Sequence, residues 1–312
     1  MGARKKFFLH VGYPKTATTT LQKLLFKQHP DLCYLGKPLV GALQDLEKQI
    51  LKLDSVQFER ALPKLQKSFA SLVAGKEDGR NIMLSHEDFL RPARYGGHDI
   101  GCTAERIRQV FADPVSADYD VFVMLTLRRQ VDIIPSYFFD SVSRIPDDFY
   151  RFVDDSLKNP RQGYFATLFY NEIAAYYRRL FGKRKVALFA FEEFVGDRDV
   201  FIRRLSSYLD IDVHKSQRCI NRGAFNTKPR SPSGSGYHIT ASEYLLDKLR
   251  RKNVSIARFP LWLRVVLKRV PLRNLSFELD SRHRSKIESL YSESNRRLAE
   301  DFGLDLGRLG YF

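Results

Sequence analysis

Short apolar runs recur along the chain, and most of them hand over to a helical pattern. Phe7 to Val11 is the first, ending at Gly12 ahead of a helical pattern over Thr18 to Lys27. Leu32 to Leu35 is a weaker second run, and Asn81 to Ser85 (NIMLS) a third. Asp120 to Leu127 (DVFVMLTL) is the fourth and Lys185 to Phe191 (KVALFAF) the fifth. Runs of this length without polar alternation are what strands buried on both faces of a parallel sheet require. Helical patterns fill the gaps: Leu39 to Ala74, with a break expected near Pro63, then Gln130 to Ser143, then Phe165 to Phe181. Pro135 also allows the second of these to begin there, because proline fits the first turn of a helix. Strands alternating with helices predict an α/β fold, a three-layer sandwich around a mostly parallel central sheet.

Beyond about Asp212 the character changes. NRGAFNTKPRSPSGSGYH, Asn221 to His238, is rich in Gly, Ser, Pro and Arg and reads as a loop. Two basic helical segments follow, and Ser281 to Phe302 predicts a final amphipathic helix. No internal repeat is visible. The simplest organisation is one domain over residues 1–312, with a core over about 5–212 and a C-terminal loop and helices over about 213–312. Lys37 to Gly79 carries no recognisable motif and reads as a helical insertion.

Hydrophobic residues make up 44% of the 312, ample for a sizeable core. Lys and Arg total 52 against 36 Asp and Glu, and the net charge of +16 points to anionic partners: nucleotides, nucleic acid, acidic glycans or a membrane surface. Cys33, Cys102 and Cys219 are few, odd in number and widely spaced without a CxxC pair, which suggests neither a zinc site nor a disulfide framework. His29, His98, His214, His238 and His283 lack ligand spacing, and His10, inside the first strand, reads as a core histidine, so no metal is expected. The apolar run near the N-terminus is too short for a signal peptide, and no stretch reaches membrane-spanning length. The chain reads as soluble and cytoplasmic. Ala257 to Asn274 puts Trp262 on one apolar helical face among cations, a pattern that packs on a sheet or lies peripherally on an anionic membrane.

The candidate chemistry starts at HVGYPKTATTTLQKLLF, residues 10–26. A strand, a turn and a helix start offer main-chain N–H groups and the positive end of the helix dipole to an anion. Lys15 adds a cation, and Thr16, Thr18, Thr19 and Thr20 add hydroxyls around Ala17. In GxxxxGK[ST], the Walker loop, the lysine follows a second glycine; here it comes early, and no glycine lies between Tyr13 and Lys27. The same stretch also satisfies the plainer pattern of a threonine-capped helix. A second element is LTLRRQVDIIPSYFF, Leu125 to Phe139. Arg128 sits at the carboxyl end of a central strand, where open α/β sheets bind ligands, and Ser136 lies two helical turns on. Together they suit a second phosphate, or else Ser136 bonds its own helix backbone.

A Pro-Lys-x-x-x-Thr-Thr loop after the first strand, paired with this Arg…Asp…Ser element, resembles the sulfotransferases that use 3′-phosphoadenosine 5′-phosphosulfate (PAPS). The resemblance implies a P-loop NTPase-like fold and a transferase that moves a sulfuryl group to an acceptor hydroxyl. It implies that Lys15 and Thr16 to Thr20 hold the phosphosulfate, with Lys15 catalytic, and that Arg128 and Ser136 hold the 3′-phosphate. VALFAFEEFVGDRDVFIRRLSSYLDID, Val186 to Asp212, is similar to the family's strand ending in an aromatic-Glu pair, which would set Phe191 near the adenine. Lys228 and Arg230 fall roughly where relatives place a basic loop over the 3′-phosphate. The tail, YSESNRRLAEDFGLDLGRLGYF, resembles microbial members. Gln130 stands where many relatives have proline, and Leu21-Gln22 follows the loop where soluble eukaryotic members carry a tryptophan.

LSHEDF, at the end of the third run, offers two bases side by side. The Ser-x-Glu pattern resembles microbial and glycan-type members and implies Glu87; His86 is the alternative, since an ordinary imidazole suits base catalysis near neutral pH. SHED also fits a helix N-cap. The acceptor implied is a hydroxyl, on a carbohydrate or lipid-linked molecule, with no nucleic acid as partner. Two other classes compete: a P-loop-type nucleotide kinase, which requires magnesium held by a strand-end acid where this chain has Arg128, and a non-catalytic polyanion binder.

Overall fold

The first strand, β1 (Lys5–His10), is the axis of a five-stranded parallel sheet whose order is β2-β3-β1-β4-β5. The others are β2 (Leu32–Gly36), β3 (Asn81–Ser85), β4 (Tyr119–Leu127) and β5 (Val186–Ala190). Register is set by Phe8 opposite Met83 on one side and Phe122 on the other. The computed structural model describes residues 4–36, 41–74, 76, 79–90, 100–141, 146–221, 223, 237–239, 260, 262, 275–277 and 279–312. The expected mostly parallel α/β sheet is present, with all five strands near their expected positions.

Both sheet faces are covered, which is why the strands read as unbroken apolar runs. On one face Phe8, Met83, Met124 and Phe189 pack with Leu25, Phe26, Phe201 and Leu205. On the other, Phe7 meets Phe69 edge-on at 5.6 Å, and Phe69 meets Phe111 at 4.8 Å. Each fully buried Phe contributes roughly 2–3 kcal/mol by transfer from water.

Several helix boundaries differ from the sequence pattern for local reasons. The Leu39 to Ala74 pattern divides into Ala42–Lys52 and Ser55–Ala74, and Pro63 lies inside the second helix. The break falls at Asp54, whose carboxylate accepts from Gln57 N at 2.8 Å and starts a new helix. The pattern over Thr18 to Lys27 is an α-helical turn, Thr18–Thr20, that widens into a π-helix, Leu21–Phe26, with Lys27 N donating to Gln22 O at 3.1 Å. Five of those six π-helical residues are buried, Gln22 among them beside the leucines. Phe165 to Phe181 is interrupted before Tyr170–Phe181, and Gln130–Ser141 is helical from Gln130 with Pro135 inside it.

The chain forms two compact units. The first comprises Met1–Arg128, Ala166–Asn226 and Glu293–Phe312 and contains the whole parallel sheet. The second comprises Arg129–Phe165 and Thr227–Ser292. Within it, Tyr137 stacks on Tyr164 at 3.5 Å and Phe138 packs on Phe149, while β6 (Tyr237–Ile239) pairs antiparallel with β7 (Leu275–Phe277). Among the described residues no helix is long and apolar enough to cross a membrane. Trp262 is 66% exposed; most of Ala257 to Asn274 lies outside the described residues.

Candidate active site

The connection after β1 runs away from β4, and the one after β4 runs to β5, so the sheet switches direction between these two strands. The crevice at the carboxyl ends of strands flanking such a switch is where open α/β sheets take ligands. The candidate loop and Arg128 border it.

The start of the loop is clamped to β4. Val11 N donates to Met124 O and Tyr13 N to Thr126 O, each at 3.0 Å, continuing the ladder past the end of β1. Gly12 fits because it has no side chain: a Cβ there would overlap the Thr126 hydroxyl and lie 2.7 Å from His10 Nε2. Tyr13 is fully buried, its hydroxyl donating to Thr167 O and its ring 5.0 Å from Tyr170.

The turn itself has an unusual backbone. Lys15 (φ 72°) and Ala17 (φ 62°) both adopt the left-handed conformation without being glycine. Each costs about 1–2 kcal/mol relative to ordinary backbone. Left-handed residues in a strand-to-helix turn gather main-chain N–H groups into a concavity suited to anions. The helix that follows starts at Ala17 with no side-chain cap, so its first N–H groups keep their affinity for an external acceptor. Thr16, Thr18 and Thr20 are buried, and Lys15, Ala17 and Thr19 are half-buried. The Thr16 hydroxyl points inward, donating to Tyr13 O at 2.6 Å, so this threonine braces the turn.

Arg128 follows β4 directly. Its Nη1 donates to Lys15 O at 3.1 Å, its guanidinium lies 4.8 Å from the centre of the Phe191 ring, and Tyr170 Oη donates to its carbonyl at 2.7 Å. Arg128 Nε is buried with no hydrogen-bond partner among the described residues. Phe191 opens the helix Phe191–Gly196, and the C-terminal tail is fastened beside it: Tyr311 Oη donates to Glu192 Oε2 at 2.8 Å, and Asn295 Nδ2 to Tyr311 O at 2.9 Å. Lysine, left-handed turn, arginine and aromatic ring therefore share one sheet edge, a donor set that fits a phosphorylated nucleotide.

The two candidate bases part company beyond β3. His86 turns toward the helix Ala42–Lys52, its Nε2 2.7 Å from Glu47 Oε1 and its ring 4.8 Å from Phe89. It is 1% exposed. Ser85 and Glu87 lie on the opposite side, as alternate residues leaving a strand do. There Gln22 Nε2 donates to both, to Ser85 Oγ at 3.0 Å and Glu87 Oε2 at 2.9 Å. Glu87 is half-buried, next to the helix that begins at the loop.

His10 is a core histidine as expected: fully buried, with Nδ1 2.7 Å from Ser85 Oγ and Nε2 3.1 Å from Thr126 Oγ1. Burial lowers its pKa to about 4, against a smaller upward pull from the Glu87 charge. Ser136 is buried on Gln130–Ser141, in the second unit. Lys228 and Arg230 lie outside the described residues. Gln22, Ser85 and Thr126 went unrecognised in the sequence as site residues. The available signal was a polar residue at a buried position of an apolar pattern, as at Gln22.

No protein-family model and no curated protein matches the chain. Solved structures do. A sulfotransferase from Alicyclobacillus acidocaldarius is 16% identical, with 99% of each chain covered and a TM-score of 0.55. Mouse sulfotransferase SULT7A1, in complex with PAP, is 12% identical, covering 98% of this chain and 88% of that one at a TM-score of 0.45. The sulfotransferase domain of the Synechococcus PCC 7002 olefin synthase is 14% identical over 93% and 96%, at a TM-score of 0.43. The parallel sheet, its order and the full-length match to the Alicyclobacillus enzyme agree: this chain has the sulfotransferase fold.

Proposed function

We propose that this protein is a PAPS-dependent sulfotransferase acting on an acceptor hydroxyl. The observation that carries the proposal is Arg128, bonded to the Lys15 carbonyl and lying against Phe191, which draws the phosphate loop, a second cation and an aromatic ring to one sheet edge. PAPS supplies an activated sulfuryl group whose leaving group is a 5′-phosphate.

The chain's own residues have separable tasks. Main-chain N–H groups of residues 15–20 bind the 5′-phosphate, and Lys15 neutralises charge on the departing oxygen. Arg128 serves the 3′-phosphate, while Ser136, Lys228 and Arg230 are assigned to it from the sequence resemblance alone. Phe191 offers a stacking face to the adenine. Glu87 takes the acceptor's proton; its position beside Gln22, on the loop side of β3, favours it over His86, which faces Glu47. The net charge of +16 and the glutamate base suit a carbohydrate or lipid-linked acceptor. A magnesium-dependent kinase is disfavoured because Arg128 stands where such an enzyme needs a strand-end acid.

The test is calorimetry with 3′-phosphoadenosine 5′-phosphate (PAP) in the absence of magnesium, beside 5′-AMP and ATP with magnesium. Binding that requires the 3′-phosphate is expected. A preference for ATP with magnesium would move the kinase reading ahead, and binding to no nucleotide would leave the polyanion binder.

A further inference from the structure

A buried chain of hydrogen bonds joins Glu87 to the phosphate loop, and counting protons gives it one direction. Thr16 Oγ1 donates to Tyr13 O at 2.6 Å, which leaves only lone pairs for Thr126 Oγ1, 2.7 Å away. The Thr126 proton therefore goes to Thr16, and Thr126 accepts from His10 Nε2 at 3.1 Å. A neutral ring protonated at Nε2 keeps its lone pair on Nδ1, so Ser85 Oγ donates there at 2.7 Å. Ser85 Oγ then accepts one amide proton of Gln22 at 3.0 Å, and the other goes to Glu87 Oε2 at 2.9 Å. Each proton is used once. An imidazolium at His10 would break this order, since Ser85 would face two donors with its own proton unplaced. His10, Thr16, Gln22, Ser85 and Thr126 are all 4% exposed or less, a low-dielectric setting in which such a chain polarises along its length.

We infer that Gln22 is a positioning residue for Glu87, held in place by a one-way relay through Ser85, His10 and Thr126 that ends in the phosphate loop. The inference rests on reading Glu87 as the base. Gln22 is bonded directly to that carboxylate, and its amide is oriented by Ser85. Rotating the amide would turn its oxygen toward both the carboxylate and the Ser85 lone pairs.

Two measurements test it. In protein labelled with 15N-histidine and saturated with PAP at pH 7, His10, assigned with His10→Gln, should be neutral and protonated at Nε2. A proton on Nδ1 alone, or an imidazolium, would overturn the relay. The second measurement is sulfate release from saturating PAPS with water as acceptor. Gln22→Met should lower kcat about tenfold, the loss of one charge-assisted hydrogen bond, with PAP affinity within about twofold of wild type. Adding it to Glu87→Gln should cause no further loss. Gln22→Glu, of the same shape, should also slow the reaction by setting two carboxyls together, with near-ultraviolet circular dichroism reporting the fold. Full kcat in both Gln22 variants, or losses that multiply in the double variant, would overturn the inference alone. A Glu87→Gln enzyme at wild-type rate would overturn the base assignment and the inference with it.

Discussion

Arg128 Nη1 holds the carbonyl of Lys15 at 3.1 Å, so the arginine that ends one strand fixes the backbone of the loop that follows its neighbour. Removing this side chain loses both a brace and a cation. Arg128→Ala should weaken PAP binding about 30- to 100-fold, and Arg128→Lys should recover little of it, because an ammonium cannot reproduce the planar fork. Calorimetry checks this; unchanged affinity for the 3′-phosphate would remove Arg128 from the site.

Lys15→Ala should reduce kcat by about 100- to 1,000-fold, the loss of one charge-stabilising group at the leaving oxygen. The effect should fall on turnover more than on PAP affinity. Near-normal sulfate transfer in this variant would end the proposed role.

Ala17 stands at φ 62°, where glycine is unstrained. Ala17→Gly should raise stability by about 0.5–1 kcal/mol, the strain relieved exceeding the entropy that glycine adds to the unfolded chain. Urea denaturation midpoints measure it. A lowered midpoint would show that packing of the Ala17 methyl against the core outweighs the strain of its backbone.

Gly12→Ala should have the opposite effect, since its methyl would overlap the Thr126 hydroxyl and crowd His10. Overpacking at a clamped position costs about 1–3 kcal/mol, and it should also disturb PAP binding through the loop. A thermal midpoint equal to wild type would contradict the close approach.

His10 makes stability depend on pH. Burial holds its folded pKa at about 4, below the ordinary 6.5, so between these values the unfolded chain binds more protons than the folded one. Stability therefore rises with pH through this window; it is complete above 6.5 and falls as pH drops toward 4. The contribution is up to about 3 kcal/mol. His29, also lowered chiefly by burial, acts in the same direction. Comparing urea unfolding of wild type and His10→Gln at pH 7 and pH 5 isolates the His10 share; identical pH dependence in the two proteins would count against it.

Much of this was legible in the sequence because parallel strands covered on both faces must be continuously apolar, and Phe7 to Val11, NIMLS and KVALFAF are. The loop was legible because lysine and threonines at a strand-to-helix turn are an anion's natural partners. Its geometry was not: nothing in the letters of Lys15 or Ala17 announces a left-handed backbone, which the surroundings impose. Ser-x-Glu already pointed to Glu87 ahead of His86; what the letters do not show is that Glu47, from a stretch without a motif, lies 2.7 Å from the His86 ring. Gln22 stands on the apolar face, three and four residues before the buried Leu25 and Phe26, but its letter alone does not say which carboxylate its amide meets.

The two left-handed residues carry a thermodynamic consequence. A glycine-rich phosphate loop is ordered partly by its ligand; this one is set by the ladder to β4, the Thr16 brace and the Arg128 bond. Chain freedom is lost during folding, not at the moment of binding. Association with a phosphate should accordingly be rapid and enthalpic, with little change in backbone order across residues 15–18 when the ligand arrives. The socket is preorganised, and its rigidity takes the place of the missing glycines.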